Sequence, residues 1–337
     1  MTNGLRVAVA GASGIGKHHA KWHHVAGAEV VAFLGSSDAS CRRTEAALRD
    51  IFPFSGRGYA DWRQLLAEAR PDAIDICVPN PLHYACALAS LEAGCHVLCE
   101  KPMVWYPYQP GLSWLDEARA LTQVAARQQR VLAMCTQYAA ALPHYTRLYE
   151  ADAGPLTRVE RFQAEMETLS RGRLRSAADI WADMGPHPLS LLLAWLPDGR
   201  IAAGTLRVQL AGREARATFD FVQADQCCSV EIAVRDIDTG PPVRRFGING
   251  YQVDVSGRND AQGLFRCVLS HGSHEQVGDD FMALLVAQFH RAASGADAAP
   301  LVPGQVGVRN LELQLEVLAA APHAVADAAS LRPRAST

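Results

Sequence analysis

No block of like charge runs through this sequence: 32 lysines and arginines stand against 35 aspartates and glutamates, a formal net charge of -3. A chain so balanced lacks the electrostatic footprint of a nucleic-acid or anionic-membrane binder. No apolar run is long enough to cross a bilayer, and the amino terminus enters a strand pattern with no basic and apolar leader before it, so a cytoplasmic protein is expected. The nine cysteines show no zinc spacing; adjacent Cys227 and Cys228, or Cys95 and Cys99, match no ligand pattern, and thiols in apolar runs pack as small hydrophobes. No metal site is expected. His18, His19, His23 and His24 share one predicted helix and are read as a solvent-facing cluster, although His19 and His23 have ligand spacing. There is no internal repeat and no low-complexity tract beyond an alanine-rich carboxyl-terminal tail. The partners left by these exclusions are small molecules and further copies of the chain.

What is present is a long, 49% hydrophobic chain, more comfortable as two domains than as one. Short apolar runs at Leu5 to Ala10, Val30 to Leu34, Ala73 to Val78, His96 to Cys99 and Val131 to Cys135 alternate with helix-like segments such as Asp61 to Ala69 and Leu82 to Ala93. Continuous apolar strands joined by helices are what a doubly covered parallel sheet requires. The first run leads directly into GASGIGKHHA, Gly11 to Ala20. Here Gly11 permits the tight turn, Ser13, Gly14 and Ile15 present backbone to a pyrophosphate, and Gly16 lets the helix approach the sheet. The second strand ends in LGSSDASCRR, with Gly35 where an NAD-binding chain would place a ribose-binding acid. Ser36 and Ser37, with Arg42 or Arg43, lean toward NADP; Asp38 remains as an acid for the ribose, and helix capping by the serines is the alternative.

After residue 136 the rhythm changes. Thr157 to Glu165, Thr205 to Leu210, Ala215 to Val222, Ser229 to Val234 and Gly263 to Leu269 favour strands without long helices between them, and Asp279 to Ala293 and Val306 to Ala320 are helical. The expected organisation is an α/β Rossmann domain over 1–136, followed by an α+β domain over 137–337 with a large, mostly antiparallel open sheet, and ligand in the crevice at the strand carboxyl ends.

The run AIDICVPNPLHYACALASLEAGCHVLCEKPMV, Ala73 to Val104, resembles the signature of the glucose-fructose oxidoreductase, inositol dehydrogenase and rhizopine catabolism (Gfo/Idh/MocA) family. Pro79, Asn80 and His83 follow one strand, and Ala93, Gly94, His96 and Glu100-Lys101-Pro102 mark the next; WADMGPHPLS, Trp181 to Ser190, resembles the family's second-domain motif. The resemblance implies hydride transfer between NAD(P) and a sugar, polyol or related hydroxyl or keto compound, and a homodimer or homotetramer assembled through the second sheet. It sets Lys101 beside the reacting carbon, Glu100 near the nicotinamide, and Pro79, Asn80 and His83 along the cofactor, with a Lys101-Pro102 bond that is often cis. A lysine with an ordinary pKa of about 10.4 needs a downward shift of roughly 3 units to serve as a base at neutral pH.

His187 and Asp183 are the supporting catalytic candidates. Pro186 disfavours a helical Gly185, so a helix beginning at Pro186 or Pro188 is expected, with His187 neutral near its positive end. Arg171, Arg173 and Arg175 are read either as anion-binding or as solvated. Ser190, Ala177, Ala178, Asp179, Ala140 and Ala141 depart from the residues common in the family, which implies a substrate other than inositol or glucose. Loss of chemistry, leaving a cofactor-binding sensor of the same fold, is the alternative function. The aromatic stretch Trp105, Tyr106, Tyr108 and Trp114 is either a packing plug or an apolar wall of the site.

Overall fold

The apolar runs of the first half become one parallel sheet in the computed structural model, which describes residues 4–106, 113–296 and 298–321. Its strands are β1 (Arg6–Ala10), β2 (Glu29–Leu34), β3 (Arg57–Tyr59), β4 (Ala73–Ile76), β5 (His96–Glu100) and β6 (Leu132–Cys135), in the order β3-β2-β1-β4-β5-β6. Helices α1 (Gly16–Val25), α2 (Asp38–Arg49), α3 (Trp62–Ala69), α4 (His83–Glu92) and α5 (Trp114–Arg127) connect them. The side chains of Ser37, Asp61 and Ser113 accept backbone N–H groups at the starts of α2, α3 and α5, which explains why those helices begin where they do. Every residue of β4 and β6 is buried, as strands covered on both faces require.

The second half forms α6 (Leu142–Ala153), β7 (Arg161–Leu169), α7 (Ala177–Met184), α8 (Pro186–Trp195), β8 (Arg200–Ile201), β9 (Arg207–Ala211), β10 (Glu214–Gln223), β11 (Gln226–Ile237), β12 (Arg244–Ile248), β13 (Tyr251–Asn259), β14 (Phe265–His271) and β15 (His274–Asp279). These strands make a second sheet in the order β15-β14-β13-β12-β7-β11-β10-β8, with β9 also paired to β10. All pairs are antiparallel except β7 with β11. Along β10, Ala215, Ala217, Phe219 and Phe221 are buried while Glu214 and Arg216 point outward, the period-two pattern of a sheet with one solvated face. On the buried side, the Tyr145 hydroxyl donates to the Tyr251 carbonyl at 2.7 Å and accepts the Ile248 N–H at 2.9 Å, fixing α6 to β12 and β13.

The boundary differs from the sequence expectation. The described residues divide into one unit up to Ala140 that takes in those of Asp280–Leu311, and a second comprising Ala141–Asp279 and the described residues from Glu312. The late helix α9 (Phe281–Ala293) therefore belongs to the first unit, and α10 (Gly304–Ala320) spans the division. The reason is apolar: Leu285, Val286 and Phe289 of α9 complete a core with Val7, Ala73, Leu98 and Ala133 of the parallel sheet. Burial against strands remote in sequence leaves no local signal. A second correction concerns Gly185, whose α-helical backbone (φ -56, ψ -34) joins α7 almost directly to α8. Lacking a Cβ, glycine avoids much of the clash that a following proline imposes.

Candidate active site

The turn between β1 and α1 is shaped by close approach. A Cβ on Gly11, where φ is +88°, would meet the Cys77 carbonyl oxygen at 2.7 Å, and one on Gly16 would meet the Gly11 oxygen at 2.4 Å. At Gly14 nothing lies within 4 Å, and Ser13, Gly14 and Ile15 are exposed. An open backbone at the amino end of a ten-residue helix fits a pyrophosphate, through both its free N–H groups and the positive end of the helix dipole. At the end of β2, Ser37 Oγ accepts the Ser40 N–H at 3.2 Å, so this serine caps α2; Ser36, Asp38, Arg42 and Arg43 are exposed beside it.

The carboxyl ends of β4 and β5, adjacent strands of the same sheet, carry the remaining cofactor candidates. Pro79 leads into a single 3-10 turn, Asn80–Leu82, and Glu100 ends β5 with Lys101 following; the Lys101-Pro102 bond is cis. His83 is placed differently from the sequence reading. Its ring is fully buried, with Nδ1 2.8 Å from the Pro102 carbonyl oxygen and Nε2 2.9 Å from that of Val78. Burial lowers its pKa against the pull of those two carbonyls. His83 thus holds the loops on either side of the site and presents no surface of its own to a cofactor.

The described rings of the aromatic stretch pack on one another. Trp105 and Trp114 lie with ring centroids 4.5 Å apart, Tyr106 meets Trp114 edge-on, and the Tyr106 hydroxyl donates to Glu117. The four rings expected there include Tyr108, which lies outside the described residues.

The histidine cluster overturns its sequence reading. His18 and His24 are exposed, but His19 and His23 are buried on the face of α1 that also carries Gly16 and Ala20. Both rings reach Asp75, a carboxylate in the middle of β4: His19 Nδ1 and His23 Nε2 each lie 2.8 Å from its Oδ2. The missed signal was an aspartate inside a continuous apolar strand, which a buried sheet tolerates only with partners. Two groups, His19 with Asp75 and Cys77 and His19 with Glu100 and Cys135, bring potential ligand atoms within 4.8 Å of one another.

In the second unit, Asp183 and His187 are the two residues between Ala182 and Ser190 that keep partial exposure; their neighbours, Ser190 included, are buried. Arg175 is neither solvated nor open to an anion. Its Nη1 donates to Asp183 Oδ2 at 2.6 Å, its Nε donates to Asp236 Oδ2 at 3.0 Å and its Nη2 to Asp236 Oδ1. Arg171 and Arg173 are exposed.

A doubly wound parallel sheet with a glycine-rich first turn defines a dinucleotide-binding protein, and residues 5–136 match the sequence model described as "Oxidoreductase family, NAD-binding Rossmann fold". Over these residues the chain is similar to the Gfo/Idh/MocA oxidoreductases. It is 44% identical over 66 residues to D-glucoside 3-dehydrogenase of Escherichia coli K12, a stretch covering 20% of this chain and 18% of that protein. It is 37% identical over 101 residues to inositol 2-dehydrogenase 1 of Saccharopolyspora erythraea, covering 29% of each. The chain thus aligns with less than a third of the length of either relative. Similar architecture recurs in UDP-N-acetylglucosamine 3-dehydrogenase of Acidithiobacillus ferrooxidans, with a TM-score of 0.70 at 22% identity over 94% of this chain and 97% of that one. An inositol dehydrogenase homolog of Azotobacter vinelandii, solved with NADH and myo-inositol, gives 0.68 at 18% identity over 95% and 96%. At these identities the likeness is one of fold. Among the described residues, no helix is long and apolar enough to cross a membrane.

Proposed function

We infer that the protein is an NAD(P)-dependent dehydrogenase or reductase acting on CH-OH groups, moving a hydride between nicotinamide and a hydroxyl or keto carbon of a sugar, polyol or related small molecule. The observation that carries this reading is the position of Lys101, directly after the carboxyl end of β5 and on the same sheet edge as the glycine turn that follows β1. Doubly wound sheets bind their ligands along that edge. The names of the two relatives, a glucoside and an inositol dehydrogenase, support a polyhydroxylated substrate.

Gly11, Ser13, Gly14, Ile15 and Gly16 would hold the pyrophosphate, Ser36 and Ser37 the ribose end, and Pro79, Asn80 and Glu100 the path to the nicotinamide, with His83 fixing the loops. Bound nicotinamide supplies the hydride acceptor or donor. Lys101 Nζ takes the hydroxyl proton on oxidation and returns it on reduction. His187 is assigned a hydrogen bond to a substrate hydroxyl, and Asp183, oriented by Arg175, a second polar contact. With no acid at Gly35 and with Arg42 and Arg43 exposed nearby, the ribose end favours NADP.

The chain is read as a cytoplasmic homodimer or homotetramer. Its free thiols support the reducing compartment. The outer face of the second sheet supports the interface: there Arg216 pairs with Glu231 at 2.6 Å and Arg235 with Glu167 at 2.5 Å, a charge-balanced surface. The deciding experiment is a panel of sugars, polyols, sugar nucleotides and keto acids, read by the absorbance of reduced nicotinamide with both cofactors. Turnover of one class is expected; cofactor binding without turnover of any would replace the enzyme by a sensor.

A further inference from the structure

Five side chains of the first unit form an unbroken chain, buried except at its Glu100 end. Glu100 Oε2 accepts the Lys101 backbone N–H at 3.1 Å, and its Oε1 lies 3.2 Å from His19 Nε2. His19 Nδ1 and His23 Nε2 both address Asp75 Oδ2 at 2.8 Å, and His23 Nδ1 lies 2.8 Å from Nε2 of His290 on α9. The rings of His23 and His290 stack with centroids 5.0 Å apart, and His290 also hydrogen-bonds the Ala26 backbone. His19, His23, Asp75 and His290 are all buried.

Proton counting fixes the charge of this chain. Each nitrogen facing a carboxylate needs a proton, the contact between the two rings needs one, and the Ala26 carbonyl needs another. Three neutral rings cannot supply them; two extra protons are required, which balance the carboxylates of Asp75 and Glu100. A buried network satisfied and neutral in this way is stable, whereas a half-satisfied one is costly. A metal fits less well. Neighbouring ligand atoms around a tetrahedral zinc with bonds of about 2.0–2.3 Å stand about 3.2–3.8 Å apart. The 2.8 Å between His19 Nδ1 and Asp75 Oδ2 is instead the spacing of a shared proton.

We propose that His19, Asp75, His23 and His290 are positioning residues that keep Glu100 ionised and fixed at both oxygens, and so set the charge state of Lys101. The proposal rests on the reading of Lys101 as the acid/base. Other titratable groups face this chain from each packed element: Cys77 after β4, Cys99 on β5, Cys135 on β6, His83 on α4 and His18 on α1 itself. Burial pushes the Cys135 thiol up to about 12, and raises Cys77 and Cys99 as well, so these are neutral and His19 is the cation beside Glu100. Burial alone would raise Glu100, yet the His19 hydrogen bond and charge, with Lys101 behind them, bring it down to about 2. Removing the His19 cation takes a positive charge away from the site and leaves Lys101 as the cation beside Glu100, which favours protonated Lys101.

The sequence makes a direct test possible, because Lys17, Lys21 and Lys101 are its three lysines. In protein labelled with ¹³C-lysine, the Lys101 Cε resonance, assigned by its loss in Lys101→Arg, titrates in isolation. His19→Gln is expected to raise the Lys101 midpoint by at least about half a pH unit, with exposed Lys21 as internal reference. An unchanged or lowered midpoint overturns the proposal. Should that variant not fold, ¹⁵N-histidine spectra of the wild type decide: His19 carries protons on both nitrogens at about pH 8, and a neutral ring there overturns the proposal, as does one equivalent of zinc in the purified protein. Neither measurement needs turnover. Full activity in Lys101→Ala would therefore remove the catalytic reading while leaving these titrations to decide the relay separately.

Discussion

The ring of His83 bridges the carbonyl oxygens of Pro102 and Val78, at 2.8 and 2.9 Å, and so holds the segment after Lys101 against the segment that carries Pro79 and Asn80. Both carbonyls lie just beyond the ends of β4 and β5, so the imidazole ties together two segments past the reach of those strands.

His83→Ala is accordingly expected to destabilise the protein by about 2–4 kcal/mol, through the cavity of a fully buried ring and the loss of the one N–H that a neutral imidazole donates to a carbonyl. Denaturant midpoints measure this. An effect under about 0.5 kcal/mol, the scale of surface substitutions, would show that the clamp contributes nothing.

Arg175→Ala should be worse for stability than Asp183→Asn. Asp236 has no side-chain exposure and loses its guanidinium partner in the first variant, a loss of about 3 kcal/mol, whereas Asp183 is 36% exposed and is left hydrated. Thermal unfolding of the two variants side by side gives the order, and the reverse order would contradict the arrangement.

Lys101→Ala should bind cofactor as the wild type does and lose turnover by at least about a hundredfold, the usual scale for removing a general acid/base. Steady-state rates on whichever substrate the panel identifies, with cofactor affinity from fluorescence, separate the two effects.

NADPH should bind more tightly than NADH. Exchange of Ser36 for aspartate is expected to reverse that order, because a carboxylate there repels a 2′-phosphate and accepts from free ribose hydroxyls. Titration of protein fluorescence with each nucleotide measures it, and equal affinities would leave the ribose end unassigned.

Stability should fall on both sides of a plateau. Glu100, depressed from 4.5 to about 2, contributes stability above pH 4.5 that is lost as the pH drops through the folded value, on the order of 3 kcal/mol. Asp75 is depressed in the same direction: burial alone would raise it, and the charge and hydrogen bonds of His19 and His23 override that. In His19 burial is outweighed by the charge and hydrogen bond of Asp75, which raise it well above 6.5; its contribution is complete below 6.5 and is lost as the pH climbs through the raised value. Unfolding free energy measured against pH should therefore be greatest between about 4.5 and 6.5 for this network, and Asp75→Asn should flatten the acid limb.

Much of the first unit was legible because its signals are local. Continuous apolar runs gave five of the six parallel strands within a residue or two, missing only the three-residue β3; Asp61 marked the start of α3, and the glycines at 11 and 16 stand where a Cβ would collide. The strands β12, β13 and β15 were harder, since Arg244–Ile248 and His274–Asp279 are short or polar and owe their pairing to β7, β13 and β14 rather than to their own propensity.

The sequence by itself determined the fold class of the first unit: a glycine turn, Pro79 and Asn80, and Glu100-Lys101-Pro102 are each contiguous motifs that are read from neighbours in the chain. Tertiary structure alone decided the surroundings of those motifs. It withdrew His83 from the surface, tied Arg175 to Asp183 and Asp236, brought α9 back onto the parallel sheet, and turned a histidine-rich helix inward to meet Asp75. The physical reason is that burial and charge pairing depend on residues far apart in sequence: His290 meets His23 across 267 positions, and no local pattern encodes that distance.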